Sequence, residues 1–121
     1  MKYMLLIYMD EQVMNQAERE HCYVESTVLA HDLKSKGQYL AASPLQSVTM
    51  ATSVQIRGGK RLVTDGPFAE TREQLGGYYL VDARNLDEAI GIAARIPGAR
   101  LGTVEIRPVV ELPDLPKENL Q

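Results

Sequence analysis

The sequence predicts an α+β fold in which two helices cover one face of an antiparallel sheet, and three observations carry that reading. Polar and apolar residues alternate with a period of two over residues 52–57, 77–83 and 103–109. Apolar residues recur at helical spacing over 15–36 and again from Leu86 onward. In chain order these segments run strand, helix, strands with a hairpin, strand, helix, strand, which is ferredoxin-like in plan. At 121 residues the chain is expected to be one domain, long enough to fold without disulfide or metal. Residues 1–110 are read as that domain and 111–121 as a C-terminal tail.

The first strand, residues 2–9, holds Tyr3, Met4, Leu5, Leu6, Ile7 and Tyr8 without polar alternation. Both of its faces therefore need cover. Helices can cover one, and the other calls for a second copy of the chain. Over 15–36, Cys22, Ser26, Leu29 and Leu33 form one stripe flanked by Tyr23 and Ala30, and Gly37 ends the helix. Residues 38–43 are extended until Pro44 interrupts them, so this piece is an edge strand or a loop. Within 52–57, Val54 and Ile56 are expected to face the helices, with Ser53, Gln55 and Arg57 opposite. Gly58-Gly59 marks a two-residue hairpin turn, and residues 60–64 return. Tyr79, Val81 and Ala83 oppose Tyr78, Leu80 and Asp82 in the next strand. Asn85 with Glu88 has the form of a capping box. Leu86, Ala89, Ile90, Ala93 and Ile96 make the second helix's apolar face, and Pro97-Gly98 stops it. In the last strand Val104 and Ile106 face one side, Glu105 and Arg107 the other. The tail, with Pro113 and Pro116, is expected to be loose or to lie across a partner.

Composition narrows the function classes. The net charge is −3, without the basic footprint of a nucleic-acid binder. Arg57, Lys60 and Arg61 form a local basic cluster, read as a solvated hairpin tip. Cys22 is alone, so no intramolecular disulfide forms, and its helical position suits a small buried hydrophobe. The apolar start is far too short to span a membrane, and Asp10-Glu11 follows it directly, unlike a signal peptide. A cytoplasmic protein is expected. No spacing of His, Cys, Asp or Glu matches a metal site, and no phosphate loop is evident, so neither metal nor cofactor is expected.

The densest chemistry lies in Thr64-Asp65-Gly66-Pro67-Phe68-Ala69-Glu70-Thr71-Arg72-Glu73. Asp65 is expected to bond the backbone two residues on, with Gly66 and Pro67 shaping the turn and Phe68 anchoring the loop in the core. Glu70, Arg72 and Glu73 are either an ordinary solvated face or a charged rim over a pocket. On the sheet, Gln55, Arg57, Glu105 and Arg107 would face away from the helices, lining a cavity between protomers or forming interface ion pairs. Arg107 in particular is expected to be buried, paired with a carboxylate and close to the interface, where its planar fork suits an anion. His21, four residues before Glu25, is either a carboxylate-held general base or a solvated helix side chain.

The Asp65 run, with Gly76-Gly77-Tyr78-Tyr79, Leu86-Asp87-Glu88-Ala89 and Glu105-Ile106-Arg107-Pro108, resembles the YCII-related family in its DGPF subgroup, over nearly the whole chain. The resemblance implies a ferredoxin-like protomer that dimerises into an α+β barrel, with clefts at or near the interface. It also implies an association with extracytoplasmic-function sigma factors. Some relatives in the wider family carry a catalytic histidine at the start of the first helix and an aspartate nearby. His21 is the nearest match to the former, while Asp65 belongs to the subgroup's own loop. Two functions follow as expectations. One is a homodimer that binds a small molecule, with an anion as one option, in a cleft near the interface through Arg57, Glu70, Arg72, Tyr78, Glu105 and Arg107, with His21 and Asp65 as catalytic candidates. The other is a non-catalytic dimeric partner module acting in regulation.

Overall fold

Residues 1–117 are described in a computed structural model of the chain. The elements are β1 (Lys2–Met9), α1 (Gln16–Ser35), β2 (Tyr39–Pro44), a single 3-10 turn (Val48–Met50), β3 (Thr52–Arg57), β4 (Lys60–Asp65), β5 (Gln74–Asp82), α2 (Leu86–Ala94), α3 (Gly98–Leu101) and β6 (Thr103–Pro108). β1, β2, β5 and β6 form a four-stranded sheet in the order β2-β5-β1-β6, and every neighbouring pair is antiparallel. The mixed α+β arrangement is consistent with the ferredoxin-like plan.

Alternation sets the layers. β1 sends Tyr3, Leu5 and Ile7 into the core, and β5 sends Tyr79 and Val81 beside them. Leu29 and Leu33 of α1 and Ala89, Ile92 and Ala93 of α2 close over that face, with Ile96 just beyond. Val104 and Ile106 pack against this cluster, as their spacing indicated. The other face of β1 and β5 carries Met4, Leu6, Tyr8, Tyr78 and Leu80, which are only partly buried. Within one chain, then, the first strand is fully covered on one side alone.

Both long helices begin on an asparagine. Asn15 caps α1 in a reciprocal capping box: its side chain accepts from Glu18 N while Glu18 accepts from Asn15 N. At α2, Asn85 accepts from Glu88 N, but the Glu88 carboxylate turns to Arg84 N and Gln38 Nε2 instead of Asn85 N. α2 is rotated relative to the expected apolar face. Its buried stripe becomes Ala89, Ile92, Ala93 and Ile96, whereas Leu86 and Ile90, expected on the apolar face, are about half exposed. Gly37 ends α1 with φ of 72°, as a C-terminal glycine should. Pro97-Gly98 ends α2 and then starts the short α3, an element that the spacing did not announce. At Gly102 a Cβ would overlap the Tyr8 carbonyl oxygen, so this close approach of α3 to β1 requires glycine.

The β3–β4 hairpin departs from expectation in position. It forms its own two-stranded sheet, with Val54 opposite Val63 and Ile56 opposite Arg61. Val54 and Ile56 are 61% and 59% exposed and do not face the helices. Pro44 and the 3-10 turn lead the chain off the sheet edge before β3 begins, so the hairpin stands clear. Its tip residues Arg57, Lys60 and Arg61 are exposed, as expected. The tail after Val109 is tied by Val109 N to Lys2 O and by a Lys2–Glu111 ion pair at 3.5 Å. Residues 118–121, part of the expected loose tail, lie outside the described residues.

Candidate functional site

A cleft of about 800 Å³ opens between α1 and the edge of the sheet. Its floor is Ile7 of β1 with Gly77 and Tyr79 of β5. One wall is the flank of α1 that presents Arg19, Cys22, Tyr23, Ser26, Ala30 and His31. The other is β2 and the segment after it, from Tyr39 and Ala42 to Ser47. Met9, Glu11, Met14 and Gln74 also line it, as do Ile96 and Gly98. The volume falls within the range that holds a drug-sized ligand.

α1 lies closer to β2 than to β5, and a side-chain hydrogen bond ties it to β5. Tyr79, 3% exposed, donates its O–H to the Ser26 carbonyl at 2.6 Å, which sets the height of the helix above the floor. Burial pushes the Tyr79 phenol above its ordinary value, so it stays a neutral donor. On the far flank α1 is held to the α2–α3 segment by two ion pairs. Arg100 grips Glu25 with both nitrogens at 2.9 and 3.0 Å, and Arg95 reaches Asp32 at 2.7 Å.

The mouth is built by Glu11. Its carboxylate accepts from Ser47 Oγ at 2.8 Å and Val48 N at 3.0 Å, and its own N–H donates to Gln74 Oε1 at 3.0 Å. One residue thus ties the β1–α1 loop to the segment after β2 and to β5. Cys22 lies against Met14, with its Sγ 3.7 Å from the Met14 Sδ. Burial, then the nearby Glu25 carboxylate, pushes the thiol above its usual value, which leaves it a soft apolar wall rather than a nucleophile. Among the described residues no group of three His, Cys, Asp or Glu could hold a metal ion.

Of the residues picked out from the sequence, Tyr78 borders this cleft through its place on β5, although alternation turns its side chain to the other face of the sheet. His21 is on α1 but its side chain is exposed, 3.8 Å from a Glu25 that is already taken by Arg100. Glu105 and Arg107 lie on the opposite sheet face, where Tyr8 donates its O–H to Glu105 Oε1 at 3.3 Å. Burial raises the Tyr8 phenol first, and the Glu105 charge raises it further. In the single protomer Arg107 is exposed and joins no salt bridge among the described residues, so the expected burial and carboxylate partner would have to come from a second copy. Arg57 is at the tip of the separate hairpin, and Glu70 and Arg72 are exposed on the loop before β5.

The loop itself differs from its expected construction. Asp65 pairs with Thr52 at the end of β4, and its carboxylate makes no hydrogen bond among the described residues. The turn is held instead by Ser53 Oγ donating to Gly66 O at 2.8 Å and Gly66 N donating to Ala51 O at 2.7 Å. Phe68 anchors nothing in the chain: it is 87% exposed, because the hairpin carries it away from the core it was expected to enter. Arg19, Ser26, His31 and Glu11 were missed because they share no motif. They become neighbours only when β1, α1 and β2 are folded together.

The profile of the YCII-related domain matches residues 1–113. The chain belongs to the YCII-related family. A relative within reach of sequence comparison is an uncharacterized protein of Rhizobium meliloti (strain 1021), 36% identical, with the match covering 90% of this chain and 92% of the relative. Among solved structures, this YCII-related chain is similar to a 5-chloro-2-hydroxyhydroquinone dehydrochlorinase from Burkholderia phenoliruptrix AC1100, solved in complex with 2,5-dihydroxybenzoquinone. The TM-score is 0.57 at 11% identity, covering 91% of this chain and 94% of that one. That likeness is one of fold.

Proposed function

We propose that this YCII-related protein, of the DGPF subgroup, is a homodimer that binds a small organic molecule in the cleft between α1 and the sheet. The observation that carries the reading is the cleft itself: an apolar floor of Ile7 and Tyr79, with a few polar groups converging from α1 and the Glu11 mouth. The solved neighbour with a bound small quinone has the same fold, which supports a small-ligand role for the architecture without naming this ligand. The partly buried apolar set Met4, Leu6 and Leu80 on the opposite face supports dimerisation into an α+β barrel. In that assembly Tyr78, Glu105 and Arg107 would meet a second copy. His21 and Asp65 would take a catalytic part only where that copy brings them to bound ligand.

A neutral naphthylamine dye, fluorescent in apolar surroundings, tests the cleft. The parent protein should bind it saturably, and Ala30→Trp, which fills the wall, should weaken binding by about tenfold or more. Unchanged binding in a folded Ala30→Trp variant, or no saturable binding in the parent, would overturn the reading.

A further inference from the structure

We infer that Arg19 is the anion anchor of this cleft, and that the ligand has an apolar, ring-sized body and a single carboxylate-type head. This rests on the cleft being the binding site. Arg84, Arg95 and Arg100 are all exposed, and each is paired with a carboxylate. Arg19, like the exposed Arg57, Arg61, Arg72 and Arg107, joins no salt bridge among the described residues, but of these five it is the half-buried one, and it lies on the cleft wall. Its one bond runs from Nη2 to the Glu11 main-chain oxygen at 3.4 Å, long for a charged donor.

A partly buried guanidinium without a carboxylate keeps donors that a ligand in the cleft can take up. Of the carboxylates at the mouth, Asp10 accepts from Gln12 N in its own loop and does not reach Arg19, and those of α1 and its start are engaged elsewhere. Glu11 holds Ser47 and Val48, Glu25 holds Arg100, and Asp32 holds Arg95 and Lys36. No fully buried side-chain nitrogen or oxygen of the described residues lacks a partner. The unused guanidinium donors of Arg19 are therefore not sealed in the core, and the residue that carries them lines the cleft. A guanidinium presents its donors as a planar fork, which two oxygens of one carboxylate match.

The surroundings define the rest of the ligand. Ile7, Met9, Met14 and Tyr79 offer apolar and polarisable surface suited to a ring. Asp10 and Glu11 stand at the same mouth, so a second negative charge on the ligand would meet repulsion. A monoanion with one apolar end fits both conditions, and a phosphate ester or dicarboxylate does not.

The test compares 2-naphthoate with neutral 2-naphthamide by calorimetric titration of the full chain. The parent should bind the acid about tenfold more tightly or better, and Arg19→Met should erase that preference while leaving the amide within about threefold. Arg19→Gln, which keeps a polar end without charge, should behave the same way and covers the case in which the methionine variant misfolds. Equal affinities in the parent, or a preference that survives loss of the charge, would overturn the anchor. If the neutral dye binds and the acid does not, the anchor fails while the cleft stands. If the dye does not bind either, the cleft reading itself has failed.

Discussion

At the scale of residues, the inner face of β5 was legible and its consequences were not. Alternation placed Tyr79 inside, but nothing in the sequence said that its hydroxyl would meet the Ser26 carbonyl and hold α1 at one height above the sheet. Tyr79→Phe should keep the core intact and lose that bond, costing about 1 kcal/mol in urea denaturation. A variant as stable as the parent would mean that the contact contributes nothing net. Phe68 and Asp65 teach the converse. An aromatic after a turn reads as an anchor and an aspartate as a cap, yet Phe68 is solvated and Asp65 unbonded. Side-chain chemistry names what a group could do, and only the fold supplies the surface it needs. Arg19 was silent for the same reason, since the cleft wall it belongs to exists only once β1, α1 and β2 are folded together.

At the scale of elements, α1 is fastened along one flank by charge and left open along the other. Hydrogen bonds from Arg100 hold the Glu25 carboxyl below its ordinary value, and those from Arg95 and then Lys36 do the same to Asp32. A depressed folded-state value means that the stabilisation is present above the unfolded value of about 4 and is lost as pH falls through the lower folded one. The melting temperature of the parent should therefore fall more steeply between about pH 5 and about pH 2 than that of the double variant Glu25→Gln, Asp32→Asn. Parallel curves would show that the two pairs are too well solvated to matter. The helix was legible from its stripe and its glycine stop. The hairpin was legible as a hairpin, from Gly58-Gly59 and its alternation, but its place was not. A period of two says that a strand has two different faces, and not that either one is covered.

At the scale of the whole molecule, apolar surface stays open in several places, among them the outer sheet face around Leu6 and Leu80 and the β3–β4 hairpin, whose Val54 and Val63 face solvent together. An isolated two-stranded hairpin is marginal in water. Light scattering at low micromolar concentration should give about twice the 13.5 kDa chain mass. Leu6→Arg should halve it, whereas a parent that is monomeric there would remove the barrel. The sheet order has a separate consequence, for synthesis on the ribosome. β1 pairs only with β5 and β6, and β2 only with β5. Everything that precedes Gln74 therefore emerges without a strand for the main sheet to pair with. At roughly 5–20 residues per second, the apolar first strand waits about 4–15 s for its first partner. Until then α1, with its own N-terminal cap and glycine stop, and the self-contained β3–β4 hairpin are the local structures open to the nascent chain, and β5 is the strand whose arrival turns them into a domain.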